Sequence, residues 1–388
     1  MKKLVYESAL CNSAKNKKLY NPNKPNATTG GVAFIVAIII MEIISIALSV
    51  LLEKYLNFVK KDDYLTMLIG LVIAQLVIGG IALTVGKIGR FKLANGGGFS
   101  IKIKPLYCAM GILLITGLMF CFMPMTERFV SDWQYVWSRF IDLPIAEDPE
   151  GKLIYGLATL ILTPILPAIF EEWLYRGIIM KGLQEFGNIF ALIVSSLMFA
   201  LMHGSMEQFI YQFIIGFAIG GVVLLTKNYL VGCVMHYFNN LLAQLTVLME
   251  VILTPTYLKV YSIMSVVIGV VCIMIALCYF GKMIVHNTKN EGKYTKGEHK
   301  YLLTTNKNYE YDYSIESWDK PLSLNERNSE ECTLFMDRNK CLRAVNKKSK
   351  KPLAMFLVVF GLVISLALVI LSDFGYISKL VKIIIGIL

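Results

Sequence analysis

The chain has 388 residues, 56% of them hydrophobic, and a formal net charge of +11; its mean hydropathy is +0.60. Apolar residues gathered in long runs exclude an ordinary soluble domain and make lipid the expected solvent. The basic residues sit mostly between those runs, where they set topology and meet anionic lipid, so the charge is not a nucleic-acid signature.

Residues 1–30 carry six lysines and read as a cytoplasmic N-terminal segment. The first apolar run begins near Gly31, too far from Lys2 and Lys3 for a secretory signal peptide, so it is expected to stay as a membrane helix. Spans are predicted near 31–53, 65–86, 106–124, 153–182, 189–203, 208–226, 229–252, 257–280 and 353–372. The fold class is thus all-α, a polytopic membrane bundle of about nine transmembrane helices. Strands are excluded, because an open sheet edge leaves backbone groups unpaired in lipid.

Charge follows the spans. Loop 54–64 carries three lysines, and loop 87–105 carries five basic residues. Loop 125–152 holds three basic and six acidic residues, and Phe129 to Phe140 within it reads as an outer interfacial helix with Trp133 and Trp137 one turn apart. The fifth run is short and is expected to turn back at Gly204–Ser205. Region 281–352 holds 15 Lys and Arg and reads as a cytoplasmic polar loop, or else a small regulatory module. The tail from Lys379 to Leu388 is too short to span and is expected to lie on the outer surface. The alternation places residues 1–30 and 281–352 inside and the C-terminus outside.

Eight cysteines (Cys11, Cys108, Cys121, Cys233, Cys272, Cys278, Cys332, Cys341) show no CxxC or CxxH spacing, which argues against a disulfide framework or a cysteine metal site.

A charged side chain deep in a membrane helix costs about 2.5–3.5 kcal/mol and usually has a function. Glu42 and Glu250 are isolated cases, whereas residues 171–240 hold a cluster: Glu171, Glu172 and Arg176, then His203, then His236, Asn239 and Asn240. At 1.5 Å per residue, Glu171 and His203 lie about 16 and about 21 Å from one face, and His236 and Asn240 about 11 and about 17 Å. They therefore share one slab of the membrane. Glu172 and Arg176 are spaced i,i+4 and can pair, which leaves Glu171 to act on a water. His236 and Asn240 share the same spacing and can aim donors at a developing oxyanion. His203 can hold the water or ligate a metal. Bland readings stand beside these: a structural ion pair for Glu172 and Arg176, a helix–helix hydrogen bond for His236 with Asn240, and a packing contact for Asn239. Phe199, Trp173 and Tyr175 are expected to wall the cavity, and Glu207 to be solvated.

The motifs EExxxR (Glu171, Glu172, Arg176), FxxxH (Phe199, His203) and HxxxN (His236, Asn240) occur in that order. In them the chain resembles the type II CAAX prenyl endopeptidases and the related bacterial CAAX-protease and bacteriocin-processing (Abi) proteins, over roughly residues 153–252. The resemblance implies an intramembrane endopeptidase with a four-helix catalytic core at 153–252. Glu171 and His203 would activate water, His236 and Asn240 would form an oxyanion hole, and Glu172 and Arg176 would support them. Members have also been described as metalloproteases, which keeps a divalent metal such as zinc open as a cofactor, although HExxH is absent. The implied partners are a peptide or protein substrate and the bilayer of the cell membrane, with no nucleic acid. Around the core, 31–152 reads as N-terminal membrane helices, 253–280 as a further helix, and 353–388 as the last helix and tail. Competing readings are a non-enzymatic bacteriocin immunity or accessory protein on the same scaffold and a transporter. The single polar cluster and the lack of paired broken helices argue against the latter.

Overall fold

A computed structural model describes residues 25–54, 64–89, 103–122, 158–295 and 351–387. Among these residues the chain is all-helical, with no strand. Helices α1 (Ala27–Lys54), α2 (Tyr64–Gly89) and α3 (Pro105–Phe122) are followed by α4, a composite rod over 158–186. Then come α5 (Asn188–Leu201), α6 (Met206–Thr226), α7 (Tyr229–Ile252), α8 (Pro255–Thr295), α9 (Lys351–Asp373) and the short α10 (Tyr376–Ile387). The stretch Phe129–Phe140 and residues 296–350 lie outside the described residues.

Six of these helices are long and apolar enough to cross a membrane: Ala27–Leu51, Ile69–Gly89, Pro105–Phe122, Met206–Thr226, Pro255–Val285 and Pro352–Asp373. The chain is a multi-pass membrane protein. The sequence led to an expectation of about nine spans. The three segments that fall short of that criterion are α4, α5 and α7. Helix α5 has only 14 residues, α4 is interrupted, and α7 carries His236, Asn239, Asn240, Gln244 and Glu250. The polar cluster lowers the hydropathy of the helices that carry it. Helix α8 continues to Thr295, well past the end near 280 that its apolar run predicts.

Lipid-type solvation shows in the outer helices. In α8, Val266, Val267, Val270 and Val271 are all exposed, and in α9 so are Phe356, Val359 and Val363. Helix α4 is the inverse: Leu174, Ile178, Ile179 and Met180 are fully buried, and α4 packs against α1, α2, α5, α6 and α7. Helix α3 is sandwiched by α7 and α8, and α9 leans on α1 and α5.

Helix α4 is irregular for identifiable reasons. Pro164 opens its α-helical part (Thr163–Glu172), and Pro167 sits inside it, where the ring removes a backbone donor. Residues Trp173–Met180 then adopt π-helical geometry, a form found mostly as short insertions and frequently at functional sites. The rod ends at Gly187, whose φ of 111° lets the chain reverse into α5.

Two acidic caps tie remote parts together. Glu185, at the end of α4, accepts from the backbone N–H of Ala27 at 3.1 Å, and Asn26 caps the same helix start through Thr29 N–H at 2.8 Å. Asp373, the last residue of α9, accepts from the N–H of Met206 at 3.0 Å. Each carboxylate meets unpaired N–H groups at the positive end of a helix dipole.

Small residues set the crossing of α3 and α8. A Cβ on Gly117 of α3 would lie 2.7 Å from the Gly269 carbonyl and 2.9 Å from the Ile273 nitrogen of α8. Both are backbone atoms that cannot rotate away. Gly117→Leu is therefore expected to push α8 off α3 and cost about 1–3 kcal/mol, read as a lower thermal unfolding midpoint in detergent. An unchanged midpoint would refute this account of the crossing.

Candidate active site

The acids come from the junction in α4 where the α-helical part meets the π-helical part. Glu172 has no exposed surface, Arg176 is 1% exposed and Glu171 9%. Buried charge survives only when paired. Glu172 Oε1 lies 3.0 Å from Arg176 Nη1 and 2.9 Å from Nδ1 of His236 on α7. The aligned hydrogen bond of the guanidinium is a separate one, donated by Nη2 to the Gly216 carbonyl of α6 at 2.9 Å. Arg176 thus spans α4 and α6, while Glu172 spans α4 and α7.

Glu171 points to the other side of the same imidazole. Its Oε2 is 3.9 Å from His236 Nε2, and its Oε1 accepts from Gln75 Nε2 of α2 at 2.8 Å. A separation of 3.9 Å is too long for a direct hydrogen bond and suits a third polar atom that reaches both groups. An ionised carboxylate only accepts, so Glu172 holds a proton of His236 on Nδ1 and turns Nε2 towards Glu171.

His203 is presented by a turn rather than a helix, since α5 ends at Leu201 and the chain turns through Gly204 at φ 68°. The expected reversal at Gly204–Ser205 is where the chain bends. His203 Nδ1 bonds the Phe199 carbonyl at 2.9 Å, which again assigns the proton to Nδ1 and leaves Nε2 as the acceptor. Phe199 is the hub that gathers these groups. Its ring meets His203 edge-on at 4.9 Å, His236 at 5.7 Å and Tyr175 at 5.2 Å, and the Arg176 guanidinium lies 4.7 Å from its centroid. Such contacts lock ring orientations and add cation–π attraction in a dry site.

The structure therefore gathers Arg176, His203 and His236 around one aromatic ring, with Glu171 and Glu172 on either side of His236. Asn240 stands apart from that set. It is half-buried, and its Oδ1 accepts from Asn239 Nδ2 at 3.2 Å. Asn239 is not a plain packing contact either, because its Oδ1 accepts from the Tyr211 hydroxyl of α6 at 2.8 Å. That chain commits the Asn240 oxygen to Asn239 and leaves its amide nitrogen as the donor. Trp173 is half-buried against Phe170, Tyr175 is fully buried, and Glu207 is exposed.

Sequence reasoning missed several supports. Gln75 is a lone amide in the middle of an apolar run, and its polarity was the available signal. Gly216 and Gly220 form a GxxxG pair on α6, a known mark of close helix approach. A Cβ on Gly216 would lie 2.9 Å from the Phe199 ring and 3.6 Å from Arg176 Nη2, so glycine is needed there for the ring to sit beside the guanidinium. On α7, a Cβ at Gly232 would lie 3.2 Å from Glu172 Oε2.

A metal was left open by the sequence. Among the described residues, no group of three or more His, Cys, Asp and Glu is placed to hold a metal ion. Both histidine Nδ1 atoms and Glu172 Oε1 have protein partners, and Nδ1 contacts of this kind orient an imidazole without occupying Nε2. No step is derived through a metal.

Residues 153–242 match the family model described as type II CAAX prenyl endopeptidase Rce1-like, a protease family. The match covers under a quarter of the chain and contains Glu171, Glu172, Arg176, His203, His236 and Asn240. No curated protein and no solved structure matches the chain.

Removing one partner of a buried pair strands the other. Arg176→Met is expected to destabilise the fold by about 3–5 kcal/mol, because Glu172 keeps its charge without its cation. The double variant Arg176→Met with Glu172→Gln should recover much of that loss in a thermal melt. Additive losses in the double variant would show that the two side chains do not act as a pair.

Proposed function

We propose that the chain, whose core matches a family of peptide hydrolases, is an endopeptidase of the cell membrane that works within the bilayer. Its substrates would be peptide precursors or membrane-associated protein segments entering the helix bundle. One observation carries the reading: a buried carboxylate oxygen, Glu171 Oε2, faces the ring nitrogen His236 Nε2 across 3.9 Å, with His203 packed on the same aromatic ring as His236.

In this mechanism Glu171 Oε2 takes a proton from a water that hydrogen-bonds it, and His203 Nε2 helps to orient that water. The water oxygen bonds the scissile carbonyl carbon, and the carbonyl becomes an oxyanion. In this step His236 is the imidazolium, with its Nδ1 proton held by Glu172 and its Nε2 proton given to the developing charge, and the Asn240 amide nitrogen is the second donor. The C–N bond then breaks, and the proton held by Glu171 passes to the leaving nitrogen. Glu172 and Arg176 keep the imidazole of His236 in place and touch no substrate. The low-dielectric surroundings strengthen each of these interactions.

The experiment is cleavage of a peptide library by purified protein. Wild-type protein should cut a subset of peptides, and Glu171→Ala should lose about 10²–10⁴ of the rate, the usual share of a positioned base. Wild-type rates retained by Glu171→Ala, at equal folded yield, would remove the catalytic claim and favour a non-enzymatic role for the scaffold. A second outcome follows because, among the described residues, no three His, Cys, Asp or Glu are grouped to hold a metal: cleavage should persist after incubation with a strong chelator. Loss on chelation that is restored by zinc would instead place a metal in the reaction.

A further inference from the structure

Gln75 lies in α2, outside the segment that matches the family model. It is 7% exposed in an otherwise apolar helix. Its Nε2 donates to Glu171 Oε1 at 2.8 Å, across 96 residues of sequence. The orientation of the amide follows from the partner, because an ionised carboxylate can only accept. The Gln75 carbonyl oxygen is then left buried without a hydrogen-bond partner among the described residues.

An amide in this position is expensive. A leucine would pack in the same helix without exposing any polar atom to an apolar interior, and one of the two polar side-chain atoms of Gln75 has no partner among the described residues. The other acts on one atom, the outer oxygen of Glu171. With Oε1 held, the carboxylate cannot rotate about its terminal bond, and Oε2 stays turned towards His236 Nε2 at 3.9 Å. The neighbouring contact supports the same reading. Gly79, one turn further along α2, sits against the Phe170 ring next to Glu171, where a Cβ would come within 2.6 Å. That close approach brings α2 near enough to α4 for the amide to reach the acid.

We propose that Gln75 is a positioning residue for Glu171: it fixes the plane of the carboxylate so that a single oxygen faces the substrate water. This rests on the reading of Glu171 as the base. Rate, not substrate affinity, is the quantity it controls, since Gln75 reaches the reaction only through Glu171.

The test measures kcat and KM of purified Gln75→Leu, Gln75→Glu and Glu171→Gln on a peptide that the wild type cuts. Gln75→Leu should lower kcat at least tenfold with KM within about twofold. Gln75→Glu keeps the shape but replaces the donor by a like-charged acceptor, so it should lose more activity than Gln75→Leu. Gln75→Met, of similar length and flexible, serves as the second donor-free variant if the leucine lowers folded yield. Wild-type kcat in Gln75→Leu or Gln75→Met, while Glu171→Gln is inactive, would overturn the positioning role and leave the base assignment intact. Activity in Glu171→Gln would overturn the base assignment itself, whatever Gln75 does.

Discussion

A charge inside an apolar bundle must be matched by a charge or a dipole, and the centre of this protein is organised around that requirement. Glu172, with no exposed surface, is held by Arg176 and His236 at once. Arg176 in turn uses the Gly216 carbonyl and the face of Phe199. None of these groups has water to fall back on. Three helices are therefore fixed relative to one another by contacts that tolerate little displacement. The same contacts fix the ring of His236, so the pairing that satisfies the buried charge also orients the groups facing Glu171.

That arrangement needs space at the helix crossings, and α4 and α6 make it in different ways. The π-helical stretch Trp173–Met180 begins directly after Glu172 and carries Arg176. Gly216 and Gly220 thin the facing surface of α6 where Arg176 lies. Gly232 does the same on α7 beside Glu172. A Cβ would come closest to the Phe199 ring at Gly216, to Leu192 at Gly220 and to Val223 at Gly232, so packing beside the charged groups limits size there.

The helices beyond the matched core are part of the same mechanical unit. Helix α2 supplies Gln75 to Glu171. Helix α1 is clamped to the end of α4 through Glu185. Asp373 at the end of α9 caps the start of α6, immediately after the turn that carries His203. A residue near the C-terminal end of the chain thus holds a backbone three residues from one of the histidines. In sequence, α9 looks like an addition to the core; in space, it braces the turn.

Much was legible from residue order alone. Long apolar runs fixed the helices at 31–53, 106–124 or 353–372 to within a few residues, because a helix in lipid must be apolar all round and about 20 residues long. Spacing of i,i+4 anticipated the Glu172–Arg176 pair, since that contact is local to one helix. The common depth of Glu171, His203 and His236 followed from counting rise per residue. Azimuth is different. Which side of each helix faces which neighbour depends on contacts between segments far apart in sequence, and no local pattern encodes it. Only the folded chain shows that Glu172 engages His236 as well as Arg176, that Asn240 is tied to Asn239 and Tyr211, and that an amide from α2 holds the remaining oxygen of Glu171. Composition set the solvent and the helices; the pairing of buried charged groups across helices decided the site.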